Sequence, residues 1–227
     1  MDAHCAAVAQ AVTDVVARQV AAGVDVVSDG EMSKLSYATY IKDRITGFEG
    51  DSPRRAPADL EGYPSFLERQ AKTGGTPTYR RPQCVGPIEV KDMEPCNTDL
   101  ANLRAAVDLH HPVDAFMNAA SPGVIALFQP NSHYETHDAY LYALADAMSA
   151  EYEAIVAAGF VLQLDSPDLG LGRHMMFKGQ PDEEYERLAA VHVEALNHAT
   201  RNIDPGERSA RVDIAVLDFY LGETTGD

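Results

Sequence analysis

Apolar residues recur along the chain at two spacings, which predict helices alternating with strands. The helical spacing marks the amino-terminal stretch up to Gly23 and the segments 37–45, 64–75, 99–109 and 183–198. The clearest helical stripe ends at Gly159 and comprises Leu141, Leu144, Ala145, Met148, Tyr152, Ile155 and Val156. Short apolar runs predict strands at 24–28, 84–90, 113–120, 160–165 and 210–222.

Three of the predicted strands end in polar segments, which read SDGE, NAASPG and LDSPD. Strands that alternate with helices are typical of parallel βαβ units. In a parallel sheet the carboxyl ends of the strands share one edge, where ligands bind. We therefore expect these three segments to meet at one site. About five strands are clear, whereas a closed (β/α)8 barrel has eight. This count leaves open a missed strand, an open sheet or part of a barrel.

Composition narrows the class of protein. The chain has 227 residues, 45% of them apolar, and a formal net charge of -17. We expect a single domain over 1–227 with an irregular excursion at 49–80. The negative charge disfavours nucleic acid and anionic membranes as partners. Three cysteines without a CxxC pair predict reduced thiols and a cytoplasmic location. No apolar run predicts a membrane span or a signal peptide.

Carboxylates and donors at the strand ends are the candidate site residues. Glu31 and Asp165 can accept hydrogen bonds from a substrate ammonium or bind a metal. Asp29 and Asp165 have the alternative role of capping the helices that follow. Asn118 and Ser121 can donate to a substrate carboxylate or phosphate, although Ser121 followed by proline is also a typical helix N-cap.

The histidines give weaker signals. His174, downstream of the LDSPD segment, is the best candidate for a site histidine. His133 and His137 are four residues apart and could share a metal on one helix, but a helix boundary between them is the alternative interpretation. His110 and His111 precede a proline and are typical of a helix end. The chain lacks GxSxG, P-loop, dinucleotide-binding and HExxH motifs.

Five segments in order carry a resemblance to a known family. They are AGVDVVSDGEMSK, CVGPIEVKD, MNAASPGVIALFQPN, YLYALADAMSAEYEAIVAAGFVLQLDSPDL and HVEALNHATRNI. The chain resembles the catalytic domain of cobalamin-independent methionine synthase, and more closely its short stand-alone relatives. The resemblance extends to about Arg208 and rests on the combination of these segments.

The resemblance implies a (β/α)8 TIM-barrel fold and methyl transfer from a folate to the thiol of homocysteine, with zinc lowering the thiol pKa. Glu31 matches the glutamate that holds the amino group of homocysteine, and Asp165 matches an aspartate that faces the amino acid. The predicted catalytic residues are Asp165 and His174. The predicted substrate-binding residues are Ser28, Asp29, Glu31, Asn118 and Ser121.

The chain departs from the family pattern near its carboxyl terminus. The family has a His-x-Cys pair there that supplies two zinc ligands, but neither residue type follows Arg211. The resemblance thus implies zinc, while we find no metal ligands for it in this chain. We expect an incomplete barrel without its first strand and last strands. Exposed sheet edges would favour a homo-oligomer.

Three functions follow as hypotheses. The first is a methionine-synthase-like thiol methyltransferase with an amino-acid thiol and a folate methyl donor as partners, inactive if the zinc element is essential. The second is a non-catalytic small-molecule-binding relative. The third is alkyl transfer to another small thiol, or a porphyrinogen-decarboxylase-like reaction using Arg80, Arg81 and Arg173 to bind carboxylates.

Overall fold

The structure, a computed structural model, describes residues 3–34, 36–37, 39–52, 58–73 and 81–215. Within these residues the helices are α1 (Ala3–Ala21), α2 (Pro64–Thr73), α3 (Glu94–His110), α4 (Pro122–Phe128), α5 (His137–Ala157), α6 (Asp168–Leu171), α7 (Asp182–Ala199) and α8 (Pro205–Arg211). The strands are β1 (Val26–Val27), β2 (Phe48–Glu49), β3 (Gln83–Cys84), β4 (Asp114–Ala120), β5 (Val161–Asp165) and β6 (Val212–Ala215). Short 3₁₀ helices lie at Tyr40–Asp43 and Ala58–Leu60.

Four strands form a parallel sheet in the order β1-β4-β5-β6. The longest pairing joins β4 to β5, from Phe116 opposite Val161 to Ala120 opposite Asp165. Helices lie between successive strands, as the alternating pattern predicted. The α/β fold with a parallel sheet is therefore confirmed, and the register places the carboxyl ends of β4 and β5 side by side.

One predicted strand was wrong in its extent and its direction. The segment 84–90 contributes only β3, which pairs antiparallel with β2 in a separate two-stranded sheet. Val85 is followed by Gly86 and Pro87, and a proline has no N–H to donate to a strand partner. The ladder therefore stops at Cys84, before the apolar residues that suggested a longer strand.

Several helices also differ from the prediction. The segment 37–45 contains only the 3₁₀ helix Tyr40–Asp43. The periodicity did not predict α4, α6 and α8, because helices of four to seven residues are too short to show a helical period. The predicted stripe of α5 is confirmed, since all seven of its members are buried. The helix begins at His137, four residues before the first of them.

The hydrophobic core lies between the parallel sheet and its helices. Along β4 the buried residues Ala115, Met117 and Ala119 alternate with less buried ones, which is the period of two expected of a strand. Tyr140, Leu144 and other α5 residues belong to the same cluster. None of the helices in the described residues is long and apolar enough to span a membrane. The single domain with its excursion at 49–80 stays a prediction, since part of that range lies outside the described residues.

Candidate functional site

The carboxyl ends of β1, β4 and β5 bring Glu31, Asn118 and Asp165 together. The side-chain amide nitrogen of Asn118, Nδ2, donates to Oε1 of Glu31 at 2.7 Å and to Oδ2 of Asp165 at 2.9 Å. Two carboxylates from segments far apart in sequence thus contact one nitrogen. The expected meeting of these segments is found, while the substrate role of the residues stays a prediction.

Lys34 and Gln163 fix the orientation of these groups. Nζ of Lys34 donates to the backbone oxygen of Asn118 at 2.7 Å and to its Oδ1 at 3.2 Å. An ammonium is only a donor, so this contact requires Oδ1 on that side of the amide and directs Nδ2 towards the carboxylates. Nε2 of Gln163 donates to Oδ1 of Asp165 at 2.8 Å. Oε2 of Glu31 accepts no hydrogen bond from a described residue.

The turn after β1 explains the DGE sequence. Gly30 and Glu31 both have left-handed backbones, with φ of 64° and 56°. Oδ1 of the buried Asp29 accepts from the backbone N–H of Glu31 at 2.9 Å, and Oγ of Ser28 accepts from Gly30 at 3.3 Å. Gln19 of α1 holds the backbone of Ser28 from both sides. Ser28 and Asp29 therefore shape the turn that carries Glu31, and their predicted contact with substrate stays untested.

Ser121 caps helix α4, as its alternative interpretation held. Its Oγ accepts from the backbone N–H of Val124 at 3.0 Å and donates to Oδ1 of Asp168 at 2.9 Å. The side chain is fully buried. Both contacts are internal, so the substrate-binding role predicted for Ser121 stays a prediction that this geometry does not favour.

A histidine pair lies behind Ser121, with His192 buried and His137 half-buried, and the sequence reasoning missed it. Oδ2 of Asp168 is 2.7 Å from Nδ1 of His192, and Nε2 of His192 is 2.9 Å from Nε2 of His137. The partner of His137 is thus His192 in α7 and not His133. His133 precedes Thr136, the N-cap of α5. The helix boundary that separates His133 from His137 is confirmed. His192 opens the HVEALNHATRNI segment of the resemblance, but no pattern along the sequence indicated its contact with His137.

His174, the predicted site histidine, makes backbone contacts only among the described residues. Its N–H donates to Leu171 at 3.0 Å, and its carbonyl accepts from Ala58 at 2.9 Å. The structure shows no contact that joins its imidazole to Asp165. Its predicted catalytic role therefore stays a prediction without support from the geometry.

A buried ion cluster supports the end of β4 beneath the site. The guanidinium of Arg44 donates to Asp99 and, at 2.8 Å, to Oε2 of Glu151. The hydroxyl of Tyr40 donates to Oε1 of Glu151 at 2.6 Å and accepts from the backbone N–H of Ala120 at 3.2 Å. Burial raises the pKa of the Tyr40 hydroxyl well above its ordinary value, so Tyr40 stays a donor. The cluster holds the last residue of β4 in place.

The described residues do not fit the zinc that the resemblance implies. Among them, no group of three His, Cys, Asp or Glu side chains is placed to hold a metal ion. Cys5 is exposed, while Cys84 and Cys96 are buried. Burial, followed by the charge of Glu151, raises the pKa of the Cys96 thiol to about 12, whereas a zinc ligand must be a thiolate. The end of the chain, where the family has its His-x-Cys pair, lies mostly outside the described residues.

Fold and site together define a parallel α/β protein with paired carboxylates at the carboxyl ends of its strands, which is where β/α-barrel enzymes carry their sites. No family model matches the chain. The methionine synthase of Saccharolobus solfataricus is 26% identical over 184 residues, which are 81% of this chain and 45% of that protein. The methionine synthase of Sulfurisphaera tokodaii is 26% identical over 147 residues, 64% of this chain and 37% of the relative.

Two solved structures have a similar fold. One is a B12-independent methionine synthase from Shewanella sp. W3-18-1 in complex with selenomethionine. The superposition covers 87% of this chain and 49% of that protein's chain, with a TM-score of 0.63 and 16% sequence identity. The other is described as a putative vitamin-B12-independent methionine synthase from Listeria monocytogenes. The superposition covers 91% of this chain and 52% of that protein's chain, with a TM-score of 0.58 and 18% sequence identity. This chain spans about half the length of these relatives or less. The comparisons confirm its resemblance to cobalamin-independent methionine synthases.

Proposed function

We propose that the chain binds the ammonium group of a small amino-acid thiol between Glu31 and Asp165, as part of methionine-synthase-like methyl transfer. The observation that carries the proposal is the convergence of both carboxylates on Nδ2 of Asn118, at 2.7 and 2.9 Å. Among the described residues, two carboxylates beside the ammonium of Lys34 leave a local excess of negative charge. Such a site favours a cationic ligand.

The free lone pairs support the same ligand. Oε2 of Glu31 has no donor among the described residues, and an ammonium offers three N–H groups. Asp165 is nearly buried, at 7% exposure, so its contact with an ammonium would be shielded from water and strengthened. The Shewanella relative is described in complex with selenomethionine, an amino acid with a chalcogen side chain. A homocysteine-like thiol is therefore the ligand we propose.

The described residues can bind and orient such a thiol, and we assign them no further step. In the family, zinc supplies thiolate formation, but no described cluster fits it. This misfit favours a second candidate, a protein that binds the amino acid without transferring a methyl group. The porphyrin alternative stays a prediction: Arg173 is paired with Asp182, Arg80 lies outside the described residues, and Arg81 lines a separate cavity. The folate donor, a cytoplasmic location and self-association stay predictions.

Calorimetry with zinc-free, reduced protein tests the amino-acid site. We expect Glu31→Gln to weaken the binding of L-homocysteine about tenfold, or ~1.4 kcal/mol, because one charge-assisted contact becomes neutral. Its analogue without the amino group, 4-sulfanylbutanoate, should bind the variant no more weakly than it binds the original chain. Glu89→Gln, at an exposed position away from the site, is the matched control.

Two results would contradict the proposal. One is equal affinity of the original chain for homocysteine and the deaminated analogue. The other is an unchanged homocysteine affinity in the Glu31→Gln variant. Repeating the titration with added zinc, followed by a methyl-transfer assay with a methylated folate, separates the methyltransferase from the protein that only binds.

A further inference from the structure

A chain of hydrogen bonds leads from the turn after β4 to a pair of histidines on two different helices. Ser121 donates to Oδ1 of Asp168, whose Oδ2 is 2.7 Å from Nδ1 of His192. The Nε2 atoms of His192 and His137 are 2.9 Å apart. Asp168 and His192 are 2% and 1% exposed. Water therefore has little access to Asp168 and His192, whereas His137 is half-buried. The hydrogen positions on the two imidazoles are set by these contacts.

The backbone is packed closely around this pair. A Cβ atom at Gly123 would lie 1.9 Å from Oδ2 of Asp168 and 2.5 Å from Nδ1 of His192, so α4 can approach only with glycine at this position. The ring of Phe177 contacts both imidazoles edge-on, at centroid distances of 5.7 Å to His137 and 5.5 Å to His192. The rings thus have little freedom to rotate.

The order of donors and acceptors determines which nitrogens carry hydrogen. Asp168 as a carboxylate only accepts, so the hydrogen of a neutral His192 is on Nδ1 and its Nε2 has a lone pair. That lone pair must accept from His137, which therefore carries its hydrogen on Nε2. Burial, followed by the neighbouring His192, lowers the pKa of His137 to about 4, so this ring is neutral near pH 7. Nδ1 of His137 is then left with a lone pair.

His137 lines a cavity of about 400 Å³. Apolar side chains such as Phe128, Met175 and Met176 form about half of its wall, and polar ones such as Arg81 and Tyr140 form the rest. Nδ1 of His137 makes no hydrogen bond with a described residue. The residues of the proposed amino-acid site, Glu31, Asn118 and Asp165, are not among those that line it.

We propose that His137 presents Nδ1 as a hydrogen-bond acceptor to a ligand with an O–H or N–H group in this cavity, and that Asp168 and His192 are positioning residues that set its tautomer. This inference does not depend on the proposed methyl transfer.

Nitrogen NMR of the histidine rings in the whole chain tests the tautomers. We expect hydrogen on Nδ1 of His192 and on Nε2 of His137. The amide of an Asp168→Asn variant can donate to Nδ1 of His192, which would reverse both rings and place the hydrogen of His137 on Nδ1. Asp146→Asn is the matched control, because Asp146 contacts His198 in an exposed pair elsewhere. It should leave His137 and His192 unchanged.

Phenol and anisole serve as probes of the cavity, since they differ in the O–H donor. We expect phenol to shift the Nδ1 resonance of His137 and to bind about fivefold more tightly than anisole, the value of one net hydrogen bond. The preference should vanish in Asp168→Asn. Hydrogen on Nδ1 of His137 in the original chain, equal binding of the two probes, or an unchanged tautomer in Asp168→Asn would overturn the proposal. If Asp168→Asn does not fold, the histidine NMR spectrum of the original chain and its binding of phenol and anisole test the proposal by themselves.

Discussion

Replacing Arg44 with methionine should destabilise the fold strongly. Arg44, Asp99 and Glu151 are 6%, 5% and 4% exposed, and the guanidinium also stacks 4.6 Å from the ring of Tyr40. Methionine fills much of the same volume but leaves two buried carboxylates without their cation. Breaking a buried ion pair from one side costs about 3–5 kcal/mol in unfolding free energy. Urea unfolding followed by circular dichroism measures the loss, and no tryptophan is present for fluorescence.

Two further variants separate charge from packing. Arg187→Met removes the partner of Glu184 in an exposed pair and should leave the urea midpoint nearly unchanged. A triple variant with Arg44→Met, Asp99→Asn and Glu151→Gln removes the charges together and should recover at least half of the loss. A loss below about 1 kcal/mol for Arg44→Met, or a triple variant no more stable than the single one, would refute the reasoning.

The stability that Arg44→Met loses depends on pH with a defined sign. Burial raises the pKa of Asp99, and Arg44 opposes this rise. An acid with a raised pKa holds its proton in the folded state where the unfolded chain has lost it, so stability falls as pH increases through that window. Without Arg44 the window extends to higher pH. The loss of stability should therefore be greater at about pH 7 than at about pH 5.

Two other predictions follow from close packing and burial. Gly123→Ala should cost at least ~3 kcal/mol in unfolding free energy, because its Cβ would overlap Asp168, whereas Gly62→Ala, with nothing within 4 Å, should change it by less than ~0.5 kcal/mol. Equal urea midpoints for the two variants would contradict the close approach of α4. Ellman's reagent should modify one thiol quickly in the native chain, since Cys5 is exposed and burial raises the pKa of Cys84 and Cys96. A fast thiol that persists in Cys5→Ser would contradict this burial.

The sequence alone predicted the meeting of Glu31 and Asp165, although they lie in distant segments. The prediction needed only the alternation of strands with helices and the rule that parallel strands share a carboxyl edge. This prediction does not depend on strand length, so it holds although β1 has only two residues. The sequence predicted that the amide of Asn118 is a donor, but not which groups accept from it. We expected its amide to donate to a substrate carboxylate, but it donates to two carboxylates of the protein.

The contacts that the sequence did not predict depend on distances between elements. Helix α4 comes close to Asp168 and His192 only because position 123 is a glycine. A sequence pattern carries no information on such an approach. Arg44 and Asp99 belong to residue types that are usually solvated, so their burial in one cluster has no signal along the chain. The antiparallel pairing of β2 with β3 joins residues on either side of the irregular excursion, where periodicity does not apply.

The site itself limits the chemistry that the described residues can perform on a thiol. Buried tyrosines hold the end of β4 from both sides of the backbone, since Tyr40 accepts from the N–H of Ala120 and Tyr152 donates to its carbonyl at 2.6 Å. Asn118 and Gln163 hold the carboxylates by hydrogen bonds within the protein, and a negative site favours an ammonium. The same charges disfavour a thiolate nearby, and an ordinary thiol, with a pKa of about 8.5, is mostly protonated near pH 7. Methyl transfer to sulfur would therefore require a group that stabilises the thiolate at this site, whereas binding of the amino acid requires none.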